Sequence, residues 1–401
     1  MANGFSRDRL ARLHHALAAH VAAGDMPGAV ALVSRHGEVQ VEAVGALSFG
    51  GAPMKRDTIF RIASMTKPVI AAATLMLVEE GKLRLDDPVD AFLPELADRK
   101  VLKAIDGPVE DTVPARRPVT TRDLLTFTFG MGAIMVWPAK YPIQHAVAAQ
   151  GLAPGPFPHD YTADEFMKRL GALPLFYQPG ERWLYHTGSD VLGVLIARVM
   201  GQPLETVLQE RLFAPLGMRD TGFHVPAAKL DRFASAYMMD PQAKKLRFFD
   251  DAANSHWSKP PKFASGGGGL VSTVDDVHAF YRMLIGYGLH HGERILARPT
   301  VELMMSDQLT AEQKQGAELF FGPGGNWGAS WGMGGAVVTR RTDIFATPGR
   351  FGWDGGYGTS AHLDPAEDMI GILMTQRLME SPMPPRVFRD FWTGAYQAFN
   401  D

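Results

Sequence analysis

Immediately after Pro68 the chain runs through Val69, Ile70, Ala71, Ala72, Ala73, Leu75, Met76, Leu77 and Val78 before stopping at Gly81, a helix-length segment that is apolar on every side. A surface helix would show a polar stripe, so a segment without one must be enclosed by the rest of the protein. Any fold open to this chain therefore wraps further layers around that rod. At 401 residues with 46% apolar content, there is enough chain to do so, as two lobes or as one large domain.

The rod begins with Ser64, Met65, Thr66 and Lys67, a Ser-x-x-Lys tetrad placed where the strand signal Thr58, Ile59, Phe60 gives out. Side chains three apart on a helix share a face, with Cβ atoms about 5–6 Å apart, so the Lys67 amine can reach the Ser64 hydroxyl. A serine attacks a carbonyl only when something takes its proton, and a lysine can do so if burial or a neighbouring cation lowers its pKa. The plain alternative is a helix start capped by Ser64 with a solvated lysine, and a lone tetrad does not choose between the two. Pro68 disfavours helical dihedrals at Lys67 and removes one backbone donor, which matters little in a first turn where donors lack partners anyway.

Composition narrows the function classes. The net charge of −3 is interspersed, with no basic stripe for nucleic acid. No stretch approaches the ~18 consecutive apolar residues of a membrane span. The first thirty residues lack the pattern of a secretory signal and read as an amphipathic helix, with Leu10, Leu13, Leu17 and Val21 on one face, Ser6 as cap and Gly24 as stop. There is no cysteine, which removes disulfides, cysteine catalysis and thiolate metal sites, and fits the cytoplasm. The expected partner is a small molecule, with no nucleic acid, no membrane and no cofactor.

Ala29 to Ser34 and Val39 to Val44 read as two strands about a turn at Arg35, His36 and Gly37. From about Asp86 to Asp240 helical signals alternate with Pro- and Gly-rich loops. One helix opens at Thr120 or Thr121, and another runs from Val191 to Met200 and stops at Gly201. A helix starting at Ser272 or Thr273 has Asp275 and Asp276 placed for capping boxes. From about Gly325 short apolar runs return, namely Gly335 to Thr339, Thr359 to Leu363 and Met369 to Thr375, before a closing helix from Pro385 to Ala398. The expected fold is of the α/β class in its α+β form, an antiparallel sheet flanked by helices. Residues 1–85 and 241–401 would build that α/β domain from both chain ends, with 86–240 a mostly helical insertion.

Six segments stand in order: Phe60 to Pro68 (FRIASMTKP), Thr121 to Thr126 (TRDLLT), Pro179 to Tyr185 (PGERWLY), Pro215 to Phe223 (PLGMRDTGF), Gly266 to Ser272 (GGGGLVS) and Trp353 to Thr359 (WDGGYGT). In order and spacing the chain resembles the serine β-lactamase and penicillin-binding-protein superfamily over roughly residues 25 to 380. Within it the chain is most similar to the class C β-lactamase-like carboxylesterases called family VIII esterases. The resemblance implies a β-lactamase/transpeptidase-like fold. It implies Ser64 as nucleophile, Lys67 as its base partner and Tyr185 as the tyrosine of the Tyr-x-Asn element. Trp353, Asp354 and Gly355 match the Lys-Thr-Gly or Trp-Gly-Gly strand, and the amides of Ser64 and Gly356 would form the oxyanion hole. A glycine-rich strand edge suits that task, because backbone N–H groups can approach a developing oxyanion closely.

Three departures shape the expected substrate. Trp353 stands where a cation would hold a substrate carboxylate, removing a charge-assisted hydrogen bond worth about 1.5–3 kcal/mol. Thr187 replaces the asparagine, with His186 before it. Phe127 and Phe129 stand where relatives commonly carry His and Ser, and are expected as an apolar pocket wall. Together with Tyr357 and His186 as further lining, these point to short-chain acyl esters. The alternative is β-lactam or D-amino-acid peptide hydrolysis, or acyl transfer, at the same Ser-Lys-Tyr site. A rival nucleophile is Ser330 within Gly328 to Gly332, a Gly-x-Ser-x-Gly pattern with Asp354 and His362 later in the chain. The glycines that follow it argue against the strand-then-helix elbow that pattern needs. The paired histidines His14 with His15 and His290 with His291 have no metal-site spacing, so no metal is expected.

Overall fold

The computed structural model describes residues 4–322 and 328–401. The point near Gly325 where strand signals were expected to return lies outside the described residues. Helix α1 (Arg7–Ala22) leads into strands β1 (Gly28–Arg35) and β2 (Glu38–Gly45), and helix α2 (Thr66–Glu79) is the apolar rod. Every residue of α2 from Thr66 to Leu77 is buried. At about 1.5–3 kcal/mol per fully buried large aliphatic side chain, Ile70, Leu75 and Leu77 alone make the rod the structural centre of the molecule.

One seven-stranded antiparallel sheet packs over it. Its later strands are β3 (Ser330–Trp331), β4 (Ala336–Val337), β5 (Phe351–Gly355), β6 (Thr359–Asp364) and β7 (Met369–Thr375). The spatial order is β3-β4-β5-β6-β7-β1-β2, with β1 joining β7 in the register Leu32 to Ile372. Strand β1 is buried along its whole length, as a strand covered on both faces must be. Val30 and Leu32 pack into the cluster that contains α2, and Ala29, Ala31 and Val33 into the one with Leu13, Leu17, Phe391 and Trp392. This is the period of two expected of a strand between helical layers. The outer layer is α1 with the closing helix, Arg386–Gln397.

The segment 86–240 contributes no strand to that sheet and carries helices α3 (Thr121–Leu125) and α4 (Thr187–Met200) among shorter elements. Its Leu124, Leu192 and Leu195 share one apolar cluster with Leu32 and Ile70, so the core runs unbroken across both regions. A hairpin of Ala236–Asp240 with Lys245–Asp250 straddles the expected division at residue 240.

Capping follows the sequence with two exceptions. Thr120 forms a full capping box with Asp123, and Gly201 closes α4 in the left-handed conformation. Ser6 holds the N-cap position of α1 but its side chain makes no capping hydrogen bond. Thr273 caps the helix Val274–Ile285, yet the Asp276 carboxylate turns away to accept from Asp220 N–H and the Thr221 hydroxyl.

Candidate active site

Ser64 sits in a short 3-10 turn, Ala63–Met65, wedged between the two-residue strand Phe60–Arg61 and the start of α2. Pro68 does not disturb Lys67, which is helical in the first turn, where the missing donor has no role. Lys67 Nζ lies 2.9 Å from Ser64 Oγ, also donates to Gly267 O at 2.6 Å, and is fully buried. Burial lowers the amine to about 7, against the opposing field of Asp190. The solvated-lysine alternative is thereby set aside.

The turn is clamped from the sheet side. Ile62 O accepts from the Thr359 hydroxyl and Ile62 N–H bonds Leu270 O. A Cβ on Gly355 would collide with Ile62 O and the Thr359 hydroxyl, so only glycine lets β5 lie this close to the serine. Gly356, the next residue, borders the same cleft as Ser64, with open space where a side chain would be.

Tyr185 stands on the other side of the amine, with Lys67 Nζ 4.5 Å from its ring centre. Its hydroxyl shares a hydrogen bond with Ser64 and accepts from Trp353 Nε1 at 2.5 Å. Burial holds the phenol well above its ordinary range, more than those two hydrogen bonds relieve. At neutral pH it is therefore a proton donor. Aromatic rings close round it, with Phe320 at 4.1 Å and Trp353 at 5.4 Å between ring centres.

His186 follows at φ 84°, ψ −66°, with Thr187 N–H bonded to Tyr185 O across it, the geometry of a γ-turn. Ala63 (φ 44°) is a second non-glycine residue in left-handed backbone beside the serine. Each such residue costs on the order of 1–3 kcal/mol, and such strain clusters at functional sites. The imidazole Nδ1 is 3.1 Å from Lys67 Nζ and its Nε2 is 3.2 Å from Asp190. Burial alone would raise the Asp190 carboxyl, but hydrogen bonds from His186, Ser265 and Gly267 N–H hold it below the usual range. Asp190 and Ser265 were not singled out in the sequence, and Gly267 only as part of the run Gly266 to Ser272, although Asp190 lies one helical turn from His186. The run Gly266 to Gly269 is close packing, since a Cβ on Gly267 would press on both His186 and Asp190.

The cleft has a volume of about 400 Å³, and Ser64, Tyr185, His186, Trp353, Asp354, Gly356 and Tyr357 all border it. Met135, Phe320, Leu378 and Met379 make its wall mostly apolar. Phe127 and Phe129 do not: both are fully buried, and Phe127 stacks on Trp331 at 4.8 Å and meets the Tyr185 ring edge-on at 5.9 Å. The expected pocket wall is thus interior packing, with Phe127 against the tyrosine and Phe129 in the main apolar core. Gly355 likewise acts through the backbone clamp and does not border the cleft. Asp354 turns its carboxylate to the Ser360 hydroxyl at 2.5 Å, and burial raises it to about 6. The Tyr357 hydroxyl donates to Pro156 O at 2.9 Å, tying the segment Pro154 to Pro156 to the cleft it lines.

The rival Ser330 is fully buried in β3, donates to Asp307 and is followed by no helix. It lacks the exposed elbow its motif requires. Among the described residues no helix is by itself long and apolar enough to cross a membrane.

Comparison with known proteins places the chain in a family. The family model described as Beta-lactamase matches residues 13–389. Protein Rv1367c of Mycobacterium tuberculosis is 40% identical over 361 residues, covering 88% of this chain and 86% of its own. Esterase EstB of Burkholderia gladioli is 33% identical over 379 residues, covering 89% and 88%. Among solved structures, EstCE1, described as a hydrolase with promiscuous acyltransferase activity, superposes with a TM-score of 0.78 at 27% identity, covering 97% of this chain and 99% of that one.

Proposed function

The chain belongs to the beta-lactamase family, and with that as premise we propose that it is a serine hydrolase cleaving carboxylic esters through an acyl-enzyme on Ser64. The observation that carries the reading is the buried Lys67 amine, lowered to about 7 and 2.9 Å from Ser64 Oγ. A neutral amine at that distance accepts the hydroxyl proton as the oxygen attacks the ester carbonyl. The Ser64 and Gly356 amides face the developing oxyanion, and two preorganised donors are commonly the largest single catalytic term. Tyr185, kept protonated by its surroundings, gives its proton to the departing alkoxide and regains one from the adjacent Lys67 ammonium, which holds the proton taken from Ser64. The ester C–O bond breaks, the alcohol leaves and the acyl group stays on Ser64. Water then attacks the acyl carbon as Lys67 and Tyr185 take up its proton, the acyl C–Oγ bond breaks, that proton returns to Ser64 Oγ, and the acid is released.

Neutral substrates fit best. By the family resemblance Trp353 stands in place of a carboxylate-binding cation, and the wall is mostly apolar. Esterase EstB, at 33% identity, supports the ester class. A short acyl chain suits a cleft of this size, lined in part by Pro154 to Pro156. Transfer of the acyl group to an alcohol in place of water is the second reading, favoured by the likeness to EstCE1. Ser64→Ala should abolish p-nitrophenyl acetate and butyrate hydrolysis while Ser330→Ala leaves it nearly intact. The opposite pattern would overturn the assignment.

A further inference from the structure

Lys67 Nζ meets three neighbours: Ser64 Oγ at 2.9 Å, Gly267 O at 2.6 Å and His186 Nδ1 at 3.1 Å. Beyond its bond to carbon, a neutral amine has two N–H groups and one lone pair to direct. A carbonyl oxygen can only accept, so Gly267 O takes one N–H. If Nδ1 also accepts, the lone pair has a single direction left, toward the serine proton.

Whether Nδ1 accepts depends on where the imidazole keeps its own proton. Asp190 stands 3.2 Å from Nε2. It is fixed as an acceptor by the Ser265 hydroxyl at 2.6 Å and Gly267 N–H at 2.9 Å. A carboxylate so placed draws the proton to Nε2 and leaves Nδ1 bare, as partners of this kind set tautomers elsewhere. We propose that His186 is a positioning residue, its tautomer set by Asp190, that orients the neutral Lys67 amine so that its lone pair faces Ser64. This rests on the reading of Ser64 as nucleophile.

Burial and the adjacent amine lower the imidazole, more than Asp190 restores it, which keeps the ring neutral as this arrangement requires. His159 and Asp190 are the other titratable neighbours in the field of the ring, with the Tyr185 phenol 5.8 Å away between ring centres. The backbone agrees: holding a histidine at φ 84° is costly. Gly267 meanwhile leaves room for the ring and the carboxylate together.

His186→Gly removes the acceptor at a backbone angle that glycine adopts freely. We expect kcat on p-nitrophenyl butyrate to fall about 10- to 100-fold, with KM within about twofold, and added imidazole to recover much of the rate. His186→Asn puts Oδ1 where Nδ1 stood, and its kcat should stay within about threefold of wild type. Wild-type kcat in His186→Gly would overturn the inference. So would His186→Asn falling equally far without imidazole rescue, which marks a structural role, or an effect confined to KM, which marks a substrate contact. Should His186→Gly melt out, the ratio of kcat between His186→Asn and His186→Leu decides the matter, with equal rates refuting the inference. Ser64→Ala separates the layers: activity surviving there removes the nucleophile reading, whereas a dead Ser64→Ala beside a fully active His186→Gly removes only the positioning role.

Discussion

If Lys67 is the base, the rate must follow its neutral fraction. A solvated lysine at 10.5 would be neutral in well under ~0.1% of molecules at pH 7, whereas an amine lowered to about 7 is neutral in about half. Burial thus raises the competent population on the order of a thousandfold. From pH 6 to pH 8 the neutral fraction climbs from about 0.1 to about 0.9, so kcat/KM should rise roughly tenfold and then level off. The assay is p-nitrophenyl butyrate hydrolysis read at the wavelength where the phenol and phenolate absorb equally, with spontaneous hydrolysis subtracted. Folding needs its own control, because the same amine links stability to pH. The folded state lowers its pKa below the unfolded value, so the unfolded chain binds more protons between about 7 and 10.5. This group's contribution therefore grows with pH across that window and is absent below it. Circular dichroism at pH 6 separates loss of fold from loss of base. A profile flat from pH 6 to 8, rising only toward pH 10, would refute the argument that enclosure makes this lysine reactive.

Other substitutions test neighbouring parts of the site. Tyr185→Phe removes the donor to the leaving group, and kcat should fall by about two orders of magnitude; near wild-type turnover would return Tyr185 to packing. Trp353→Phe takes away the indole N–H held by Tyr185, and at about 1 kcal/mol for such a hydrogen bond kcat should drop roughly fivefold. An unchanged kcat in that variant would mean that the hydrogen bond does not tune the tyrosine. Phe127→Ala should lower stability by about 3–5 kcal/mol in denaturant unfolding; unchanged stability with a shifted KM would restore Phe127 to the cleft wall. Gly355→Ala should depress kcat more than it weakens binding, because its Cβ pushes β5 off the Ile62 turn; wild-type kinetics would show that the clamp has slack.

Much of the fold was legible because its signals are local. The all-round apolar run became the central rod, and the short continuous apolar runs at Ala29 to Ser34 and Met369 to Thr375 became neighbouring strands. The same applies to Ser64 and Lys67, which meet within one turn of chain. What stayed hidden depends on contacts between distant segments. Phe127 looked like pocket wall from its place in a motif, yet Trp331, some two hundred residues on, covers it. Asp190 is an ordinary first-turn acid until Ser265 and Gly267 arrive from another part of the chain to fix it. Ser330 satisfied a motif in letters, but the strand around it and the Asp307 partner are tertiary facts.

The indole of Trp353 carries one further consequence. Its lone donor group is engaged by the tyrosine, so toward the cleft this stretch of wall presents hydrocarbon. A surface of that kind offers a neutral guest no hydrogen-bond partner and responds chiefly to girth and contour. Between two neutral guests that react equally well, preference here follows how snugly their bulk meets a flat ring.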